Sequence, residues 1–145
     1  MKFRYESETP FSQPTLLCTV STWPPGRVRE RVAIPAVVDT GADLTLFPDS
    51  LRRNWNIESV GIEEIMLPDL KEIETELFSM VVQLPGWKPV AILAGVHPGA
   101  NVLMGQDILQ HGTLIANGVR QEFELIWGDG SLAGRLGRLL RSSQR

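Results

Sequence analysis

The chain has 145 residues, of which 43% are hydrophobic and 21% charged, which fits one folded domain and excludes wholesale disorder. Fourteen lysines and arginines against seventeen aspartates and glutamates give a net charge of −3, which excludes a basic nucleic-acid stripe. The lone cysteine, Cys18, cannot close an internal disulfide, and with two widely separated histidines, His97 and His111, it frames no zinc site.

No apolar run approaches the roughly 20 residues of a membrane-spanning helix, and Met1 to Glu8 lack the apolar stretch of a secretory signal, so a cytoplasmic domain is expected. Thirteen glycines and ten prolines break the chain into short apolar stretches, a mostly β pattern. Thr15 to Thr22, rich in β-branched residues and bounded by prolines, is predicted as a strand. Arg31 to Val38 is expected to pair back on it, and its apolar end, Ala36-Val37-Val38, reads as buried on both faces. Pro48 to Trp55 suits a short helix, with proline at its start and Asp49 in its first turn. Glu63 to Glu76 reads as helix or hairpin, with Pro68-Asp69 favouring a turn at its middle. Leu77 to Leu84 and Pro89 to Val96 read as strands. Gln106 to His111 is predicted as a short helix with Gly112 as its C′ residue. Asn117-Gly118 signals a hairpin between Thr113–Ala116 and Val119–Trp127. The tail from Ser131 carries four arginines and no acid; it reads as a basic extension, or as a helix with Leu132, Leu136, Leu139 and Leu140 on one face.

The chemistry lies in Val37-Val38-Asp39-Thr40-Gly41-Ala42-Asp43, where an apolar strand delivers an acid into a turn of small residues. A carboxylate there is costly unless it is hydrogen-bonded. Gly41 lets backbone N–H groups approach it, and the Thr40 hydroxyl can bond a neighbouring backbone group. Alone, Asp39 equally fits the capping of a turn after a strand. The second motif is Val102-Leu103-Met104-Gly105, two apolar residues and more running into a glycine just before the short helix.

Taken together, the two motifs and the β-rich interval between them resemble the retroviral-type aspartic proteases, the retropepsins, over about Thr15 to Trp127. That resemblance implies an all-β, closed-barrel acid-protease fold with one or two short helices, assembled as a C2 homodimer. Residues 1–127 would form the protease domain and 128–145 the basic extension. Asp39 would be the catalytic acid and base, Thr40 would brace the two active-site turns, and Gly41 would shape the turn and donate its N–H. Ala42 and Asp43 would bind the substrate backbone. Leu103, Met104 and Gly105 would lie behind the loop and shape the substrate-binding subsites. Thr45 matches a threonine of the family, and the Asn-Gly hairpin resembles its C-terminal dimerisation strands. No metal and no cofactor are implied; the partners are a second copy and a peptide or protein substrate.

Amide hydrolysis by an activated water needs a base and an acid in one step, which a single carboxyl group cannot supply. The chain holds one Asp-Thr-Gly, so an active enzyme must join Asp39 of two copies across a twofold axis. Two positions depart from the family pattern. Gln106 stands where an arginine commonly pairs with the acid at Asp43, and a glutamine cannot form that ion pair. The flap, residues 57–73 with a tip expected at Leu67-Pro68-Asp69, has Gly61 as its one glycine and is rich in acid, hence stiffer than usual. A catalytically weak or inactive dimeric peptide-binding module on the same fold is the alternative, and a β-barrel binder unrelated to proteases is a third. Cys18 reads as a core hydrophobe, and the histidines as surface or capping residues.

Overall fold

Apolar strands bury their faces only if their edges also find partners, and closing a sheet on itself satisfies both demands. The computed structural model describes residues 2–6, 13–22, 31–66 and 70–128. In chain order its elements are β1 (Lys2–Glu6), β2 (Gln13–Thr22), β3 (Val32–Val38), β4 (Leu46–Pro48) and α1 (Asp49–Trp55). Then come β5 (Gly61–Met66), β6 (Glu72–Gln83), β7 (Val90–His97) and β8 (Val102–Met104). The chain ends in α2 (Gln106–Leu109), β9 (Gly112–Asn117) and β10 (Glu122–Trp127).

Hydrogen-bonded neighbours run β2–β3–β8–β4–β7–β6, and β6 pairs back onto β2, so the expected barrel is closed. Its interior holds Val20, Ala36, Met80, Val82, Ala94, Val102 and Met104, none more than 2% exposed. The β2–β3 hairpin forms as predicted, with Thr15 opposite Val37 and Val20 opposite Val32, and Ala36 to Val38 are all buried. β3 and β8 run parallel with Val38 opposite Met104, so the residues that follow, Asp39 and Gly105, leave the sheet side by side. The helix expected from Pro48 starts one residue later, with Pro48 as its cap, and Arg52 and Arg53 both reach back to Asp49.

The acidic stretch left open between helix and hairpin is a hairpin. Along β6 the exposed Glu72, Glu74 and Glu76 alternate with the more buried Ile73, Thr75 and Leu77, a period of two that no helix satisfies. β5 pairs with this half of β6, and Glu64 stands directly opposite Glu74. The expected tip, Leu67-Pro68-Asp69, lies outside the described residues, as does the tail from residue 129. Leu70, just after the tip, takes a left-handed φ of 63° and is 79% exposed.

Two expectations change, and one strand was not foreseen. Gly112 does not end α2; the helix closes at Gln110 in a right-handed conformation and Gly112 opens β9. A Cβ there would come within 2.4 Å of the Ile126 carbonyl oxygen and 2.5 Å of the Trp87 ring, so close approach explains this glycine. The final hairpin pairs Asn117 with Glu122, leaving residues 118–121 as the loop, with the left-handed φ of 52° at Gln121. The N-terminal residues, read only for the absence of a signal, form β1, which pairs Phe3 with Phe123 of β10.

Phe123 is 1% exposed, stacks on Phe3 at 5.1 Å and meets the edge of Tyr5 at 5.9 Å. Phe123→Ala is therefore expected to destabilise the fold by about 3–5 kcal/mol, read from the urea midpoint. Amide exchange in β1 should accelerate most.

Candidate functional site

Where β3 and β8 end together, their backbones bind each other: the Asp39 N–H donates to the Met104 carbonyl at 3.0 Å. The chain then folds back at once. Ala42 N–H donates to the Asp39 carbonyl at 3.2 Å, and Gly41 N–H donates to Asp39 Oδ1, also at 3.2 Å. The half-buried carboxylate is thus met by a backbone donor of its own turn, as a charge at the end of an apolar strand requires. A Cβ on Gly41 would lie 3.6 Å from Asp39 Oδ1, an ordinary contact. Within one chain the turn uses the N–H of Gly41, and the missing Cβ is not what its spacing demands.

α2 closes the other side of the turn. Its first amides donate outward, Gln106 N–H to the Ala42 carbonyl at 2.8 Å and Asp107 N–H to the Asp43 carbonyl at 3.2 Å. The Gln106 side-chain amide donates to the Thr40 carbonyl at 2.8 Å. Gly105 is required by contact: a Cβ there would stand 2.8 Å from the Ala42 oxygen and 2.8 Å from the Leu44 carbonyl carbon.

Behind the turn, Thr45 is fully buried and all of its polar groups are engaged. Its N–H donates to Asp107 Oδ2 at 3.0 Å and its hydroxyl donates to Asp107 Oδ1. The same hydroxyl accepts from Gly105 N–H at 3.0 Å, and the Thr45 carbonyl accepts from Gly95 N–H at 3.0 Å. Asp107 was not singled out in the sequence. Its signal is an acid in the first turn of a helix that starts right after an apolar-Gly junction, paired with a threonine in an otherwise apolar segment.

The residues expected to form a site therefore lie together, with different exposures. Asp39, Ala42 and Leu103 are half-buried, and Thr40, Gly41 and Asp43 are exposed. Met104 and Gly105 are buried, so they support the turn from behind and offer no side chain to a ligand. Among the described residues no cation pairs with Asp43. Other reactive groups stand apart. Burial pushes the Cys18 thiol up to about 12, which leaves it inert as a nucleophile at neutral pH. His97 is folded into its own loop, accepting from Gly99 N–H at Nδ1 and meeting the Asn101 carbonyl at Nε2, while His111 stacks on Trp127. Among the described residues no group of three or more His, Cys, Asp or Glu could hold a metal, and no helix is long and apolar enough to cross a membrane.

Asp107→Ala leaves the buried Thr45 hydroxyl and N–H without their acceptor and is expected to cost about 2–4 kcal/mol in urea unfolding. Asp107→Asn keeps one acceptor oxygen and should cost about half as much.

No protein-family model matches the chain, and no curated protein matches it in sequence. Solved structures do resemble it. The EIAV protease complexed with the inhibitor HBY-793 superposes with a TM-score of 0.51 at 16% identity, over 72% of this chain and 92% of that one. A retropepsin-like aspartic protease from Rickettsia conorii superposes with a TM-score of 0.58 at 12% identity, over 90% of this chain and 92% of that one. The closed barrel, the paired ends of β3 and β8, and these two likenesses agree: the chain has the retropepsin-like fold.

Proposed function

We propose that the protein is a homodimeric aspartic endopeptidase, with its catalytic unit in residues 1–127 and Asp39 of each copy facing the other across a twofold axis. The observation that carries the reading is the setting of Asp39. A half-buried carboxylate at the end of a barrel strand accepts the N–H of Gly41 within a turn clamped by α2. Similarity to two solved structures named as proteases, one with an inhibitor bound, supports it.

Two such carboxylates about 3 Å apart cannot both ionise, so the pair shares one proton. The ionised member takes a proton from a water held between them, and the oxygen attacks the peptide carbonyl carbon. The protonated member gives its proton to the carbonyl oxygen, and a gem-diol forms. In the second step the C–N bond breaks as the nitrogen takes a proton from one carboxyl, and the hydroxyl proton returns to the other. The pair titrates as a unit, so neither copy owns a role. Exposed Thr40 and Gly41 lie next to the carboxylate, where a partner's turn would meet them. Ala42, Asp43 and Leu103 keep exposed or half-exposed surface for a peptide, and the β5–β6 hairpin is the flap that would cover it.

The test is a diverse peptide library incubated with the full chain. Cleavage is expected, greatest in mild acid and falling as both carboxylates ionise, and sedimentation should show dimers. Asp39→Asn should lower cleavage by about 10³-fold or more with the melting temperature kept. Specific peptide binding without cleavage would favour the inactive binding module, and full activity in Asp39→Asn would remove Asp39 from the chemistry.

A further inference from the structure

A peptide unit is planar and trans, so its C=O and N–H point in opposite directions and turn together. The unit joining Thr40 to Gly41 is bonded at both ends. Its carbonyl accepts from Gln106 Nε2 at 2.8 Å, and its N–H donates to Asp39 Oδ1 at 3.2 Å. A chain of donors therefore runs from the Gln106 amide through one rigid plane to the carboxylate. Fixing the carbonyl end fixes the direction of the N–H, and the bond at the carbonyl polarises the unit toward stronger donation.

Gln106 is itself well placed to hold that plane. Its own N–H holds the Ala42 carbonyl at 2.8 Å, and Gly105 before it is tied to the buried Thr45 hydroxyl at 3.0 Å. One residue so grips two carbonyls of the same short turn. The donor carries no formal charge, which leaves the charge balance between Asp39 and Asp43 unaltered. The other titratable group on the elements around the turn is Asp107, already engaged by Thr45; β3 and β8 carry none.

Resting on the protease reading above, we infer that Gln106 is a positioning residue for Asp39, acting through the Thr40–Gly41 peptide. Without the Gln106 donor the plane rocks and the Gly41 N–H aims less well at Oδ1. The ionised carboxylate loses support, so the acid limb of the activity profile moves to higher pH. The role needs a hydrogen-bond donor, not an amide as such.

The experiment compares the full-length protein with Gln106→Ala, Gln106→Glu and Gln106→Arg. It measures kcat and KM against pH on a peptide that the wild type cleaves, and Gly41 amide exchange by NMR. Gln106 is exposed, so the variants should keep the fold, checked by thermal unfolding. Gln106→Ala is expected to lose about 3- to 10-fold in kcat with KM within about 2-fold, and to shift the acid limb upward. Gln106→Arg, which can donate, should recover most of this. Gln106→Glu should be impaired where its carboxylate is ionised and recover in acid, where its O–H can donate. Gly41 exchange should quicken in Gln106→Ala and stay slow in Gln106→Arg. An unmoved acid limb with unchanged Gly41 exchange, or an arginine variant no better than alanine, overturns the inference. Should the wild type cleave no peptide, the protease reading falls, and Gly41 exchange alone decides the role of Gln106: unchanged exchange in Gln106→Ala overturns it.

Discussion

Thr45 is the point where three separate parts of the chain are tied into one object. Its side chain is fully buried, and a buried hydroxyl without partners would cost about 1–3 kcal/mol. Here the direction of every bond is forced. An ionised Asp107 can only accept, so it takes the Thr45 N–H and O–H, which leaves the oxygen lone pairs for Gly105 N–H. The Thr45 carbonyl then accepts from Gly95 on β7. The turn after β3, the junction after β8 and the middle of β7 are thereby held by one residue. Bonds linked through one hydroxyl strengthen each other, and the carboxylate adds charge assistance. Asp39 is tied to β8 through the buried Met104 carbonyl, and this knot anchors the other end of the segment from 39 to 45.

Around the knot, rigidity falls off in an orderly way. The closed barrel leaves β2, β3, β8, β4, β7 and the second half of β6 paired on both edges somewhere along their length. The first half of β6 continues out of the barrel and, among the described residues, pairs as a strand only with β5. That hairpin sets Glu64 directly opposite Glu74, a like-charge pair that weakens a ladder, and leaves Ile62, Met66 and Leu70 more than half exposed. Leu70 adds a left-handed backbone without a glycine to ease it. These are the traits of the least stable part of a fold. Thr75 marks the boundary, because its hydroxyl accepts from Val96 N–H on β7 and its side chain is buried.

Much of this was legible in the residues because local and global preferences agree. β-branched runs bounded by prolines became β2 and β3, and Asp39 and Gly105 emerged side by side because both follow apolar strands that prefer the barrel interior. What stayed hidden was long-range. Asp107 looks like a common helix-start acid until Thr45, far away in sequence, is seen to need an acceptor. β1 is short, and alternates lysine and arginine with aromatics, so its strand character appears only when Phe3 meets Phe123. Gly112 carries a C′ signature that is real in isolation, yet the closeness of Trp87 and Ile126 gives it another reason to be glycine. Glu63 to Glu76 could be resolved only by the inward demand of Thr75 and its neighbours.

On the proposed reading, the turn that carries Asp39 is ordered within one chain before a partner arrives. The carboxylate has its donor, the turn has its clamp, and both are assembled from contacts within a single copy. A dimer then has to bring two finished turns together without also ordering them, which removes a conformational cost from association. An arginine at position 106 would add a cation beside Asp43; the neutral glutamine side chain holds the Thr40 carbonyl instead, and Asp43 is exposed with no cation paired to it among the described residues. The Gln106 grip itself is indifferent to pH across the mild acid range in which a shared proton works, because neither its amide nor the carbonyls it holds titrate there.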